Sequence, residues 1–218
     1  MTATSDAESG GGTREEIMEA TFRALSKHGY TDLRVRDIGE EFEKSRTLIH
    51  YHFDGKHDLI SAFLEYLVDQ YEDRPDLDAD DDSWEVLGAR IDQCLFGPDL
   101  GGDFDHWDRM KVYHELFSQA RHNDRHREIF NEHYAKIRGN ITRVLEAGIE
   151  RGDFADVDPD DLAQLVTDVI HASRARKISL GHDDAPEQAR RAIDDFVLPA
   201  LDPECASERD AARDGGPR

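Results

Sequence analysis

A short window from Lys44 to His57 carries side chains suited to binding a polyanion. It holds one carboxylate, Asp54, against Lys44, Arg46 and Lys56, and it holds three histidines, whereas the whole chain has 49 acidic and 27 basic residues. An arginine can bind a guanine edge or a phosphate through two hydrogen bonds, and the N–H groups at a helix start attract phosphate. The window therefore indicates contact with DNA; the alternative is an ordinary solvated face.

Short helices must position this window. Apolar spacing predicts a helix over residues 13–28 that Gly29 stops, and a second helix over residues 35–42. Ser45 is a natural N-cap for a third helix, and a fourth begins near Gly55–Lys56. A tight connection between the second and third helices makes a helix-turn-helix arrangement, in which the later helix enters the major groove.

Helical patterns fill the rest of the chain after an acidic stretch. EDRPDLDADDD, residues 72–82, contains a proline and six aspartates and predicts an exposed connection. Beyond it, the spacing predicts helices over 83–96, 105–122, 124–151, 159–180 and 185–201. Asp158-Pro159 provides a cap and a first-turn proline, and Asp184 with Glu187 has the spacing of a capping box. No useful strand pattern occurs, so the predicted fold class is all-α, with about nine helices.

Composition excludes several classes of protein. No run approaches about 18 apolar residues, and the first residues lack a basic segment followed by an apolar one, so neither a membrane span nor a signal peptide is predicted. Cys94 and Cys205 are the only cysteines, which argues against a disulfide framework and fits the cytoplasm. The acid-rich, lysine-poor balance resembles proteins of halophilic organisms, which keep molar salt in their cytoplasm. An ordinary acidic cytosolic protein is the alternative.

The front of the chain resembles the DNA-binding domain of TetR-family transcriptional regulators of the AcrR/BetI-like type. The resemblance rests on Ile17, Ala20, Gly29-Tyr30, VRDI (35–38), LIHYHF (48–53), Lys56 and Asp58-Leu59. RGDFADVDPDDLA, residues 151–163, is a phrase common in the same family. The resemblance implies a homodimeric repressor that binds a palindromic double-stranded DNA operator and releases it when a small-molecule effector enters the C-terminal domain.

The implied domains follow from this resemblance. They are a disordered tail over 1–12, a helix-turn-helix DNA-binding domain over 13–71, the connection over 72–82, a helical effector-binding and dimerisation domain over 83–202, and a disordered tail over 203–218.

Helical geometry and the resemblance together indicate the DNA-contacting side chains. From Ser45, the side chains of Arg46, Thr47, His50 and Tyr51 fall on the side of the third helix away from Ile49 and Phe53. The resemblance implies DNA contacts by Arg34, Arg36, Ser45, Arg46, Thr47, Leu48, His50, Tyr51 and Lys56. In this assignment Lys56 binds a phosphate that the start of the fourth helix also attracts.

Two positions depart from the family pattern. The turn before the third helix normally carries a glycine and then an aliphatic residue, and here it is Glu43-Lys44. If Glu43 adopts the left-handed conformation, the strain is roughly 1 kcal/mol. The second helix usually starts with a threonine cap, and here that position is Arg34.

The rest of the chain supplies the expected effector and dimer contacts. The family builds its effector pocket where Trp107, Met110, His114 and Phe117 fall, with plain core packing as the alternative. The last two predicted helices carry aliphatic and small residues that permit close approach of a second chain. The expected dimer contacts are Leu165, Val169, Ile170, Ser173, Ala189, Ile193 and Phe196, with packing within one chain as the alternative.

Two other functions compete with the regulator. One is a metal-dependent hydrolase that uses the histidine-rich later helices. His122 and His126 have metal-chelating spacing, but Asn123-Asp124 predicts a helix boundary between them and no third ligand has suitable spacing. The other is a sensor that has lost DNA binding, which Glu43 and the acidic front domain favour. We expect no enzymatic activity, no cofactor, no metal and no membrane partner.

Overall fold

The computed structural model describes residues 5–71, 81–98 and 104–204, with side chains from Gly12 onward. Nine α-helices and no strand occur within these ranges, which confirms the predicted all-α fold. The helices are α1 (Ser5–Asp32), α2 (Val35–Glu41), α3 (Arg46–His52), α4 (Lys56–Asp69), α5 (Ser83–Phe96), α6 (His106–Gln119), α7 (Asp124–Arg151), α8 (Pro159–Leu180) and α9 (Ala185–Ala192). A 3₁₀ turn, Ala120–His122, follows α6, and a π turn, Ile193–Val197, and a 3₁₀ turn, Leu198–Ala200, follow α9.

The chain forms two compact units. One contains α1 to α4, α6 and the first part of α7; the other contains α5, the rest of α7, α8 and α9. The predicted connection over 72–82 lies outside the described residues as far as residue 80, and the predicted tail over 203–218 does so from residue 205. Of the predicted tail over 1–12, residues 1–4 lie outside the described ranges, and α1 begins at Ser5.

Local signals set most helix ends. Gly29 interrupts the helical path near the end of α1, with φ 69° and ψ 163°, as its predicted role as a stop requires. The Asp158 carboxylate accepts hydrogen bonds from the backbone N–H groups of Asp160 and Asp161, which confirms the predicted cap of α8. The predicted capping box at Asp184 is wrong, because that carboxylate makes no cap bond and instead accepts from Gln188 Nε2 at 2.6 Å.

The second unit is held together by an apolar core shared by its helices. Leu87 and Ile91 of α5, Leu145 of α7, Ile170 of α8 and Ile193 after α9 belong to one buried cluster. Each such side chain contributes about 1.5–3 kcal/mol by leaving water. In the described parts of the chain, no helix is both long and apolar enough to cross a lipid bilayer.

Candidate nucleic-acid interface

Burial in the first unit determines which face of α3 points outward. Ile38 of α2, Ile49 of α3 and Ile60 of α4 are each at most 1% exposed, and Phe53, directly after α3, is buried as well. Ile49 and Phe53 lie one helical turn apart, so the opposite side of α3 faces away from this core. The predicted inward pair of α3 is therefore confirmed, and the opposite side is the outward face of this helix.

The start of α3 is capped as the sequence predicts. Ser45 has extended backbone angles, and its hydroxyl accepts a hydrogen bond from the Thr47 N–H at 3.3 Å. This cap aligns the first turn, where Arg46 and Thr47 lie exposed. Tyr51 is 82% exposed one turn later, although burial of its ring would be favourable. An exposed tyrosine on this face suits contact with a partner.

The nine predicted DNA contacts differ in exposure. Seven are exposed, and Leu48 and Lys56 are partly buried. The exposed ones are Arg34, Arg36, Ser45, Arg46, Thr47, His50 and Tyr51. Six of the nine, from Ser45 to Tyr51 without Ile49, fall on or next to α3.

Arg46 lies against α2. A methyl group added at Gly39 would meet Arg46 Cγ at 2.6 Å, so the glycine makes room for this side chain. Arg46 Nη2 is 3.9 Å from Glu40 Oε1, and both side chains are more than half exposed. Exposed ion pairs of this kind contribute about 0–1 kcal/mol, so Glu40 holds the Arg46 guanidinium only weakly.

Asp37 caps α2 from inside the helix, which the sequence analysis missed. Its carboxylate accepts the Arg34 N–H at 2.7 Å and lies 3.3 Å from Arg36 Nε. Burial raises the pKa of Asp37, but the Arg34 backbone hydrogen bond and the Arg36 side chain together bring that pKa below its ordinary value. The three-residue spacing of Arg34 and Asp37 was the available signal, because a carboxylate at this position reaches back to the N-cap N–H.

The turn before α3 is unstrained. No non-glycine residue among those described has a positive φ, so Glu43 does not adopt the left-handed conformation. The strain that this conformation would cause is therefore absent at Glu43. Glu43 is exposed, and Lys44 Nζ lies 2.7 Å from Glu16 Oε2 of α1. The turn therefore places the negative charge of the Glu43 carboxylate at the edge of the outward face of α3.

Lys56 is tied to the end of α1. Its Nζ donates to the Tyr30 carbonyl at 2.5 Å and lies 4.5 Å from the centroid of the Tyr30 ring. Burial lowers the pKa of Lys56, while the charges of Asp32, Asp37 and Glu115 oppose that shift. Glu115 of α6 also accepts the Tyr30 N–H at 2.6 Å. Tyr30 and Glu115 thus hold the lysine at the start of α4, and neither role is visible from local sequence.

The four predicted effector residues lie on α6 and share no single environment. Met110 is buried, Trp107 and His114 are partly buried, and Phe117 is 41% exposed. His122 ends the 3₁₀ turn and α7 begins at Asp124, so the predicted helix boundary is confirmed. The Asn123 side chain caps the new helix by accepting the His126 N–H at 3.1 Å.

The seven predicted dimer residues divide into two groups. Leu165 and Phe196 are 50% and 81% exposed, and Val169 is partly buried. The other four, Ile170, Ser173, Ala189 and Ile193, are buried inside this chain, where Ile170, Ala189 and Ile193 belong to the apolar core of the second unit.

Two family models match the chain on either side of the acidic stretch. Residues 17–63 match the bacterial regulatory proteins of the tetR family, and residues 101–201 match the C-terminal domain of BetI-type transcriptional repressors. The chain belongs to the TetR family. The chain is thus a transcriptional regulator with a helix-turn-helix domain and not an enzyme.

Solved structures of TetR type share this fold. A TetR transcription regulator from Haloarcula marismortui ATCC 43049 is 29% identical, with a TM-score of 0.77 over 88% of this chain and 99% of that one. A protein from Saccharomonospora viridis, described as a transcriptional regulator in complex with choline, is 25% identical, with a TM-score of 0.74 over 88% of this chain and 98% of that one. The HTH-type regulator TtgR of Pseudomonas putida is 31% identical over 35% of this chain and 37% of TtgR.

Proposed function

We propose that this TetR-family regulator is a homodimeric repressor that binds a palindromic DNA operator and releases it when a small molecule binds. The outward face of α3 carries the proposal. It presents Arg46, Thr47, His50 and Tyr51 on a helix whose opposite side is buried through Ile49. Arg46 suits a guanine edge, and the other side chains suit base edges or phosphates. We propose the cytoplasm as its location, because its operator lies there.

Dimerisation would set the spacing of the two recognition helices. In a symmetric dimer, each α3 enters one of two successive major grooves, whose centres lie about 34–36 Å apart. Exposed Leu165 and Phe196 support a dimer contact through α8 and the turns after α9, since large apolar side chains at the surface favour burial by a partner. We retain residues 13–71 as the DNA-binding domain and 83–202 as the effector-binding and dimerisation domain.

A C-terminal family match supports a repressor, and one solved relative supports a small-molecule ligand. The C-terminal match is to BetI-type repressors, and the Saccharomonospora viridis protein holds choline. An effector shifts the equilibrium between two arrangements only by its difference in affinity for them. The acidic, lysine-poor composition supports a salt-adapted protein, in which base-edge contacts carry more of the DNA affinity because salt screens phosphate attraction.

One double variant tests the DNA-binding site. An operator is first selected with the full-length protein from a random duplex pool, and binding is then measured by fluorescence anisotropy. Arg46→Ala combined with Lys56→Ala should weaken operator binding by about 100-fold or more, because a base contact and a phosphate contact are both lost. Arg121→Ala combined with Lys111→Ala removes the same charge from exposed positions and should leave binding within about twofold.

The dimer mass, measured by light scattering, should be equal in all three proteins. Wild-type binding by the double variant at Arg46 and Lys56 would contradict the site. If no sequence is enriched from the pool, the protein is a sensor without DNA binding, the alternative that Glu43 and the acidic front domain favour.

A further inference from the structure

A cavity of about 190 Å³ lies among α1, α4 and α6 inside the first compact unit. Its walls are aromatic: the Phe22 ring stands edge-on to Phe104 with centroids 4.4 Å apart, and it lies 6.3 Å from Phe63. Tyr66 and Leu67 of α4 complete the apolar part of the lining. Pockets for drug-sized ligands begin at about 300 Å³, so this cavity suits a molecule of single-ring size.

Arg109 gives the aromatic cavity one directed charge. Its Nη1 donates to Gln70 Oε1 at 2.8 Å, and its Cζ lies 5.7 Å from the centroid of the Phe22 ring. Its Nε is buried, and no acceptor among the described residues pairs with it. The side of the guanidinium formed by Nε and Nη2 matches the two oxygens of a carboxylate. A buried N–H left without an acceptor costs free energy, which a bound carboxylate would recover.

Among the polar groups of the lining, Arg109 is the one suited to bind a carboxylate. Arg23 is already engaged, because its Nη2 donates to the Glu41 carbonyl at 3.0 Å, and Glu19 is exposed at the rim. Burial, followed by the charges of Glu15 and Glu19, raises the pKa of Tyr66, although Arg109 and the hydrogen bond with Gln70 oppose that shift. The Tyr66 hydroxyl therefore stays neutral and is engaged by Gln70. A cationic ligand is disfavoured, because the Arg109 guanidinium already occupies the face of Phe22.

We propose that this cavity binds a single-ring aromatic carboxylate, with its ring among Phe22, Phe63 and Phe104 and its carboxylate on the Nε–Nη2 side of Arg109. None of Trp107, Met110, His114 and Phe117 lines it. Its α4 wall belongs to the helix that begins with Lys56, so an occupant contacts the same helix as the proposed phosphate contact. The occupant can act as an effector only if the repressor function proposed above holds. Its binding to the cavity does not depend on that function.

Fluorine NMR of the full-length protein tests this site with 4-fluorobenzoate and its uncharged analogue 4-fluorobenzamide. We expect 4-fluorobenzoate to bind with a Kd of about 0.1–1 mM and the amide to bind about tenfold more weakly. Arg109→Gln should raise the Kd for 4-fluorobenzoate about tenfold, and Arg109→Lys, which keeps the charge but loses the two-pronged geometry, about threefold or more. Arg121→Gln, at an exposed arginine, should leave the Kd unchanged.

Circular dichroism verifies that each variant is folded; if Arg109→Gln is not, Arg109→Lys decides. The proposal is overturned if the wild-type protein does not bind 4-fluorobenzoate, if both Arg109 variants bind it as the wild type does, or if choline displaces it. Operator binding is measured separately by anisotropy with and without benzoate. If the protein binds no operator even without benzoate but the fluorine signal still changes, the proposed repressor is contradicted and this cavity is not. If operator binding is intact and the fluorine signal does not change, this cavity is contradicted as a ligand site.

Discussion

A methyl group at Gly148 of α7 should destabilise the protein, although alanine is the better helix former. In the structure, the added Cβ would overlap the Phe154 ring, with even the ring's Cγ only 3.0 Å away. Phe154 cannot easily move, because it is 3% exposed and stands edge-on to Trp84 with centroids 4.8 Å apart. Its backbone N–H also donates to the Gly148 carbonyl at 3.2 Å.

The magnitude follows from two opposing effects. Replacing a mid-helix glycine by alanine gains about 0.5–1 kcal/mol, and overpacking a core costs about 1–3 kcal/mol. Gly139 in the same helix provides the control, since a Cβ there meets nothing within 4 Å. Gly139→Ala should therefore stabilise the protein by about 0.5–1 kcal/mol. The difference in unfolding free energy between the two variants isolates the overlap with Phe154, about 1–3 kcal/mol.

Urea unfolding of both full-length variants, followed by far-ultraviolet circular dichroism at one potassium chloride concentration, measures this difference. The midpoint of Gly139→Ala should lie above that of the wild type, and the midpoint of Gly148→Ala should lie below that of the wild type, with equal slopes. If Gly148→Ala is as stable as Gly139→Ala, the ring of Phe154 does not occupy the space beside Gly148, and the described end of α7 is wrong.

Two further predictions concern the DNA-binding unit. The folded-state pKa of Asp37 is lowered, so its contribution to stability is present above the ordinary aspartate pKa of about 4 and is lost as pH falls through the folded-state value. The stability difference between wild type and Asp37→Asn should therefore persist at neutral pH and shrink below about pH 4, and a difference that grows on acidification would contradict the cap at Arg34. Glu43→Gln should bind the selected operator more tightly than wild type at low potassium chloride, with the two binding curves converging as salt rises, because the removed carboxylate repels phosphate. Equal affinities at low salt would show that Glu43 lies away from the DNA, and loss of wild-type binding well below about 1 M salt would contradict the salt-adapted proposal.

Helix ends could be predicted from the sequence wherever a cap acts locally. Ser45 and Asp158 accept hydrogen bonds from N–H groups two or three residues away, so these caps can be recognised from neighbouring residues. The capping box at Asp184 failed because Gln188, one turn later, offers the carboxylate a competing donor. No helix-breaking residue directly precedes the π turn after Ala192. The apolar spacing therefore predicted one helix over residues 185–201, whereas α9 ends at Ala192.

The outward face of α3 could be predicted, because burial of one side of the helix determines the other. Contacts between elements distant in the chain could not be predicted. Tyr30 and Glu115 are 85 positions apart, and their hydrogen bond depends on where α6 packs. The cavity lined by Arg109 has the same origin. Periodicity assigns residues to faces of α6, but empty space depends on the volumes of side chains on α1 and α4, which face it.

The surroundings of Lys56 explain how an acidic protein can hold a cation at the start of α4, the position proposed above as a phosphate contact. A positive charge at the start of α4 is opposed by the helix dipole and by burial, which lowers its pKa. The Tyr30 carbonyl and ring stabilise the ammonium, and the carboxylates of Asp32, Asp37 and Glu115 act in the same direction. Asp32, Asp37 and Glu115 therefore partly offset the cost that burial and the helix dipole impose on the Lys56 charge.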